Sequence, residues 1–285
     1  MNGLGWKPTL LVGAMLPLAG ALVLQTVKIM RALHLGRGIV SATSAFRQQP
    51  TQPAMRVLLM GDSTGMGVGA QAGQSLAALL AADRPDAEVL NISCSGARLA
   101  DIADQLQHLP RSTVPWDLLL LHAGGNDIFR GTSPARMQRA AEALLAQLVP
   151  LARHVVWLGP PNVGLLPAFV PPFSWLLSRR SMLACALFKQ CADRSGVRFV
   201  DFCEPRDKTF FSADPTRFIA PDQVHPTGET YRHCYGLLKQ SLPGLDPPQA
   251  EPDTPRIRHL HLVKTSGPDD RATSSEAGPP VASVS

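Results

Sequence analysis

The sequence has no motif that indicates a disulfide framework, a metal site or a nucleic-acid surface. It contains five cysteines, an odd number, and no two of them form a CxxC pair. Neither a set of disulfide bonds nor a zinc site is therefore predicted, and we expect buried free thiols. The net charge is +5, but no run of lysine and arginine is interleaved with aromatic residues. The positive charge therefore does not predict nucleic acid as a partner. No metal or organic cofactor is implied.

Charged residues are also scarce, at 17% against 45% hydrophobic residues, a globular composition with a slight apolar excess. A chain of 285 residues is long enough for one domain with tails. We predict a transmembrane anchor or signal segment at 1–30, a linker at 31–54, one domain at 55–242 and a disordered tail at 243–285. The linker ends in QQPTQPA, and the tail is rich in proline, serine and acidic residues.

An uncharged stretch near the N-terminus, from Thr9 to Val27, is roughly long enough to cross the core of a bilayer as a helix. We expect an uncleaved anchor. A cleaved secretory signal, for which no clear A-x-A site follows, and a buried core helix are the alternatives. Lysine or arginine follows the stretch at positions 28, 31 and 37 and precedes it only at position 7. The positive-inside rule then favours a cytoplasmic domain over a periplasmic or secreted one.

Short apolar runs alternate with segments of helical spacing over 55–242. The predicted strands are Arg56–Met60, Glu88–Ser93, Asp117–His122, His154–Leu158 and Val197–Asp201. The predicted helices are Ser75–Ala82, Leu99–Leu109, 134–151, Ser174–Ser195 and Thr227–Leu242. Continuous apolar strands between helices are typical of a parallel sheet that is covered on both faces. The sequence therefore predicts an α/β fold, a three-layer α/β/α sandwich with a central five-stranded parallel sheet.

Residues that suit acyl transfer follow these strands. In an open parallel sheet, ligands bind beyond the carboxyl ends of the strands. The segments that follow the strands carry Ser63, Gly96, Asn126, Asp222 and His225. A serine hydroxyl becomes a nucleophile when an imidazole takes its proton, and a carboxylate can hold that imidazole in the required tautomer. We predict Ser63 as nucleophile, His225 as its base and Asp222 as the carboxylate. The amides of Ser63 and Gly96 and the side-chain amide of Asn126 are predicted oxyanion donors.

Four segments resemble, in order, the motif blocks of the GDSL/SGNH hydrolases. They are VLLMGDST, NISCSGAR, AGGND and DQVHP. Members of this family are serine esterases and lipases with a flavodoxin-like α/β/α sandwich. The resemblance extends over 55–242 and implies that the blocks contribute Ser63, Gly96, Asn126, and Asp222 with His225. Thr64 stands where the family often has leucine, a difference that does not touch the catalytic atoms.

Two other motifs overlap the first block. GDSTG fits G-x-S-x-G, the nucleophile elbow of α/β-hydrolases, and Gly65–Ala70 fits the G-x-G-x-x-A of dinucleotide-binding folds. The elbow needs several strands before the serine, whereas Ser63 follows the first predicted strand. The fingerprint needs an acidic residue at the end of the second strand, and that strand ends in Asn-Ile-Ser. We expect instead that these glycines shape the turn after Ser63.

The stretch Val163–Leu177 is too apolar and too rich in proline for an ordinary surface loop. We interpret it as a lid, an acyl-binding wall or a membrane-dipping element, with a loop folded onto the core as the alternative. Phe169 and Trp175 are its candidate substrate-binding residues. An anchored esterase with such a wall suits a lipid-like or acyl-chain ester. A carbohydrate O-deacetylase and a membrane-tethered binding module on a hydrolase scaffold are the alternative functions.

Overall fold

A computed structural model describes residues 8–110, 114–205 and 214–242 of the chain, with side chains from residue 17 onward. Its central element is a six-stranded sheet in the order β1-β3-β2-β4-β5-β6. The strands are β1 Arg47–Gln48, β2 Met55–Gly61, β3 Ala87–Asn91, β4 Trp116–His122, β5 Ala152–Leu158 and β6 Arg198–Val200. The predicted tail at 243–285 lies outside the described residues.

The five predicted strands correspond to β2–β6, which pair in parallel. The prediction of a five-stranded sheet was wrong by one strand, because β1 adds a two-residue antiparallel edge to β3. Arg47 pairs with Leu90 and Gln48 pairs with Val89. A strand of two residues has no alternation of apolar and polar positions, so the pattern of the sequence does not mark it.

Helices cover both faces of the sheet and build two apolar cores. They are α1 Pro8–Ser41, α2 Ser63–Met66, α3 Leu76–Asp83, α4 Leu99–Ile102, α5 Gly125–Phe129, α6 Pro134–Leu148, α7 Phe173–Arg194, α8 Pro215–Phe218 and α9 Gly228–Ser241. One face of β2 and β4 packs against α4, α6 and α7. The alternate residues of the same strands pack against α3 and α9. Both faces of the strands are buried, which is why they read as continuous apolar runs.

The N-terminal helix α1 is longer than the sequence predicted. Residues 31–41, expected in a linker, continue the helix without a break to Ser41. No proline interrupts the chain between Leu18 and Ser41, so the helix can extend wherever its inner face finds a partner. Within the described residues, one helix is long and apolar enough to cross a membrane, over Pro17–Ser41.

Helix α1 is bound to the domain through one polar side chain of its apolar stretch. The Gln25 side chain is buried, donates to the carbonyl of Ala168 at 3.0 Å and accepts from the amide of Val170 at 2.9 Å. One turn further on, the Lys28 ammonium donates to the carbonyl of Pro167 at 2.6 Å. These three bonds fix the helix against the loop that precedes α7.

Candidate active site

The turn after β2 presents Ser63 at the carboxyl edge of the sheet. Asp62 caps α2: its carboxylate accepts from the amide of Thr64 at 2.9 Å and from the Thr64 hydroxyl at 2.5 Å. Ser63 is the first residue of the helix, so its amide has no acceptor inside the helix. Gly67 ends the helix in a left-handed conformation with φ of +98°. A glycine of the 65–70 run thus shapes this turn, as expected.

Ser63, His225 and Asp222 form a continuous chain of hydrogen bonds. The Ser63 Oγ lies 3.0 Å from His225 Nε2, and His225 Nδ1 lies 2.5 Å from Asp222 Oδ2. The other oxygen of Asp222 accepts from the amides of Val224 and His225, each at 3.0 Å. Burial alone would raise the pKa of Asp222, but its bonds from His225 and from these amides bring the pKa below the usual value. The carboxylate is therefore charged and can stabilise a protonated imidazole.

The loop that carries this pair is held in a tight conformation. Ala220 donates to the carbonyl of His225 at 2.8 Å, and Gln223 donates to the carbonyl of Ala220 at 2.8 Å. Gln223 has a φ of +65°, which is uncommon for a residue with a side chain. Its carbonyl accepts from Ala168 at 3.3 Å, so this loop is joined to the segment that α1 binds.

Ser63, Gly96 and Asn126, which carry the three predicted oxyanion donors, all line one cavity. Gly96 takes a φ of +81° in the loop after β3, a conformation that a side chain would strain. The Asn126 side chain donates to the carbonyl of Ala97 at 3.1 Å and contacts the Asp62 carboxylate at 3.5 Å. Burial raises the pKa of Asp62, which is 4% exposed. Asn126 is thus placed between the Gly96 loop and the turn of Ser63.

Two residues that the sequence reading did not single out hold these donors in place. The buried Asp127 accepts from the amide of Leu99 at 2.9 Å, which ties α5 to the loop of Gly96. Burial raises the pKa of this carboxyl group. The Arg180 guanidinium of α7 donates to the carbonyls of Asp127, Ile128 and Thr132. It therefore satisfies carbonyls at the C-terminal end of α5, the short helix that carries Asn126.

Ser63 opens into a cavity of about 710 Å³. Its walls are mostly apolar and come from the loops after β2, β4 and β5, from α9 and from α1. Phe169 lines the cavity, as predicted, and stacks on Phe129 with ring centres 5.5 Å apart. Trp175 does not line it and is 61% exposed, so the structure does not place this second candidate at the site. The turn of helix that begins at Phe173 directs Trp175 away from the core.

One wall of the cavity belongs to α1, outside the domain that the sequence predicted. The lining residues of this helix include Ile29, Leu33, Gly36 and Val40, spaced three or four apart as on one helix face. Gly36 is so close to Asp222 that a Cβ built on it would lie 3.3 Å from the carboxylate oxygen. Glycine and alanine recur along this helix, so the sequence does not mark Gly36 as the point of closest approach.

His122, at the end of β4, is a further buried polar residue of the cavity wall. Burial lowers the pKa of its imidazole to about 4. Within the described part of the chain, its Nδ1 has no hydrogen-bond partner. The neutral ring packs against Phe202, with ring centres 6.2 Å apart. His122 is therefore uncharged at neutral pH and contributes shape rather than charge.

Comparison with solved structures places the fold among hydrolases. An extracellular lipase from Streptomyces rimosus superposes with a TM-score of 0.51 at 23% sequence identity, covering 66% of this chain and 100% of that one. A catalytic mutant of the acetylxylan esterase Axe2 from Geobacillus stearothermophilus gives a TM-score of 0.50 at 16% identity, covering 68% of this chain and 96% of that one. At these identities the likeness concerns the fold, and the predicted α/β class is confirmed.

Sequence comparison identifies the chemistry. Residues 59–233 match the model of the GDSL-like lipase/acylhydrolase family. Esterase TesA of Pseudomonas aeruginosa is 32% identical over 152 residues, which cover 51% of this chain and 72% of TesA. The protein is therefore an ester-hydrolysing enzyme. It belongs to the GDSL-like lipase/acylhydrolase family, and α1 lies outside the matched residues.

The buried His122 predicts a loss of stability in acid. Its pKa is about 6.5 in the unfolded chain and about 4 in the fold. Between these values the unfolded chain takes up a proton that the fold does not, so stability falls as the pH drops from 6.5 to 4. The loss is about 3 kcal/mol. Chemical denaturation of His122→Gln at several pH values should show less of this decline. A variant of the exposed His154, His154→Gln, should keep it, and equal declines in both would contradict the assignment.

The contact between α1 and Asp222 predicts that two glycines of one helix differ in importance. Gly36→Val crowds the carboxylate and should lower kcat/KM for a soluble ester by at least about tenfold, since small displacements of reacting groups are costly. Gly38→Val is the matched control, because a Cβ there meets nothing within 4 Å. Kinetics of the two purified variants with p-nitrophenyl butyrate check this. Equal falls in kcat/KM for the two variants would contradict a contact between α1 and the site.

Proposed function

We propose that the protein is a serine esterase that cleaves acyl-chain esters through Ser63, His225 and Asp222. The observation that carries the proposal is the unbroken chain from Ser63 Oγ to His225 Nε2, at 3.0 Å, and from His225 Nδ1 to the buried Asp222. A nucleophile, a base and a group that orients the base are the parts that covalent acyl transfer needs.

In this mechanism Ser63 Oγ attacks the ester carbonyl carbon and its proton passes to His225 Nε2. The tetrahedral intermediate collapses when the bond to the alcohol oxygen breaks and His225 returns the proton to the departing alcohol. A water molecule then attacks the acyl-serine, again giving its proton to His225. The second collapse releases the carboxylic acid and restores the Ser63 hydroxyl. Asp222 stays charged throughout and stabilises the imidazolium.

The amides of Ser63 and Gly96 and the side chain of Asn126 stabilise the negatively charged oxygen of both tetrahedral intermediates by donating hydrogen bonds to it. The contact of Asn126 with Asp62, at 3.5 Å, is long for a hydrogen bond, so this N–H is free to favour an oxyanion instead. Donors that are already held in position cost no reorganisation when the charge develops. Asp127 and Arg180 supply that support through α5 and the loop after β3.

The size and apolar lining of the cavity favour an ester with an extended acyl chain. A volume of about 710 Å³ lies within the range of pockets that enclose small ligands, and Phe129, Leu166 and Phe169 line it. A carbohydrate O-deacetylase is the second candidate, because the same fold occurs in an acetylxylan esterase. Such an enzyme prefers acetyl esters, whereas an apolar cavity of this size has more to gain from longer chains.

The N-terminal helix supports a membrane-attached enzyme. Its residues Pro17–Ser41 have the length and composition of a single span. Its bonds to the loop before α7 favour an anchor that is kept over a signal that is removed. We place the domain on the side of the basic residues that follow the stretch, the cytoplasmic side by the positive-inside rule.

The proposed chemistry predicts that Ser63→Ala abolishes ester turnover, since among the described residues no other nucleophilic side chain is bonded to His225 Nε2. Asn126→Ala should lower kcat by about 10²–10³ by removing one oxyanion donor. Steady-state hydrolysis of p-nitrophenyl esters and labelling by a serine-directed fluorophosphonate measure both effects. Ser241→Ala, at the end of α9, is the control and should retain full activity. A folded protein that neither turns over esters nor takes the label would indicate a binding module instead.

The position of Phe169 predicts a role in chain-length preference that Trp175 does not share. Phe169→Ala removes an aromatic wall and should shift the ratio of kcat/KM values among acetyl, butyryl and octanoyl esters. Trp175→Ala is the matched control, and for these soluble esters it should leave the ratio unchanged. A preference for acetyl esters in the unsubstituted protein would favour the deacetylase. An unchanged ratio in Phe169→Ala would exclude the acyl wall.

A further inference from the structure

The first half of α7 turns large apolar side chains toward solvent. Trp175, Leu176, Met182 and Leu183 are 61%, 66%, 41% and 62% exposed, and together they form what we call the α7 face. The opposite side of the helix is buried and carries small residues and Phe188. A cluster of exposed large apolar residues on one helix is unusual in a soluble protein and marks an interaction surface.

The α7 face is joined to α1 by a short bonded segment. Val170, whose amide donates to Gln25, lies only five residues before Trp175 in the chain. Helix α1 itself exposes large apolar side chains along this part of its length, namely Leu18, Leu22, Val23, Leu24, Val27 and Met30. The exposed apolar surfaces of α1 and α7 are therefore connected through the hydrogen bonds of Gln25 to the segment that precedes α7.

The position of Gln25 in α1 relates the α7 face to the end of the uncharged stretch of that helix. The uncharged stretch ends at Val27, and Gln25 lies two residues earlier, about 3 Å along a helix axis. The segment bonded to Gln25 is thus level with the end of that uncharged stretch. Tryptophan is enriched at the boundary between lipid tails and headgroups, and Trp175, five residues beyond the bonded Val170, suits that level. Arg179, exposed between the apolar residues of the face, suits the phosphates of anionic lipids.

On α1 the cavity begins just beyond the uncharged stretch, within the Pro17–Ser41 part of the helix. Its first lining residue on α1 is Ile29, two residues beyond Val27. Leu33 and Arg37 line the cavity and are also exposed, so they lie at its mouth. Leu33 is six residues, or about 9 Å of helix, beyond Val27. The mouth is therefore close to the surface from which α1 emerges.

We propose that the α7 face rests on the lipid bilayer beside α1, and that the cavity takes its acyl ester directly from that bilayer. The second half of this statement rests on the proposed esterase function, and the first half does not. The family match begins at residue 59, so the wall supplied by α1 is an addition of this chain to the matched region.

Tryptophan quenching tests the position of the α7 face without any reference to activity. The full chain, as a Trp6→Phe variant, is reconstituted in phosphatidylcholine and phosphatidylglycerol vesicles with or without brominated acyl chains. Trp116 and Trp157 are buried in the core, so quenching reports on Trp175. We expect bromine to quench the emission, and Trp6→Phe/Trp175→Phe to lose that quenching. Emission that brominated lipid leaves unchanged would overturn the proposal.

Hydrolysis in vesicles tests the delivery of the ester. Trp175→Ser/Leu183→Ser should lower turnover of a long-chain fluorogenic acyl ester dissolved in the vesicles by at least about fivefold, while p-nitrophenyl butyrate turnover stays unchanged. Val149→Ser is the control, an exposed apolar residue between the end of α6 and the start of β5, and should change neither rate. Equal falls for both esters, or none, would overturn delivery from the bilayer. Turnover of neither ester by the unsubstituted protein would overturn the proposed function, and quenching would still decide the α7 face.

Discussion

The buried carboxylate of Asp222 is the point on which the organisation of the site depends. It is 1% exposed, and a charge in that position is tolerated only because every oxygen has a donor. One oxygen binds the imidazole of His225, and the other binds two amides of its own loop. The loop is in turn bonded to the segment before α7, and Gly36 of α1 leaves just enough room beside the carboxylate. Helix α1, the segment before α7 and the imidazole of His225 thus all lie against the loop that carries this carboxylate.

Burial alone does not decide the charge of the three acidic groups near the site. Asp62, Asp127 and Asp222 are all removed from water, yet the pKa is raised in the first two and lowered in the third. The difference lies in the partner, because Asp222 faces an imidazole that can become positive. Asp62 and Asp127 instead bind hydroxyl and amide groups. They organise the backbone of the turns, while Asp222 holds its negative charge beside the imidazole of His225.

The parts of this structure that sequence predicted are those with a local cause. Each of the five predicted strands is a short apolar run, and Ser63, Gly96, Asn126 and His225 lie in segments whose neighbours define the turn. The contact of α1 with the site depends on partners more than a hundred residues away, as in the bond from Gln25 to Ala168. A glutamine in an apolar run does not indicate which distant residue it will bind. Trp175 was assigned to the wall because its segment is apolar, but composition does not fix which side of α7 faces inward.

Helix α1 is continuous between Leu18 and Ser41, so this part of the chain is rigid rather than a flexible linker. A flexible linker would let the domain change its orientation and reach either the membrane that holds it or a neighbouring vesicle. Under the membrane attachment proposed above, a continuous helix that also lines the cavity would fix the height and the tilt of Ser63 relative to the bilayer. An enzyme held in this proposed way would act only on the leaflet from which α1 emerges, and esters in the other leaflet would reach it only after crossing the bilayer.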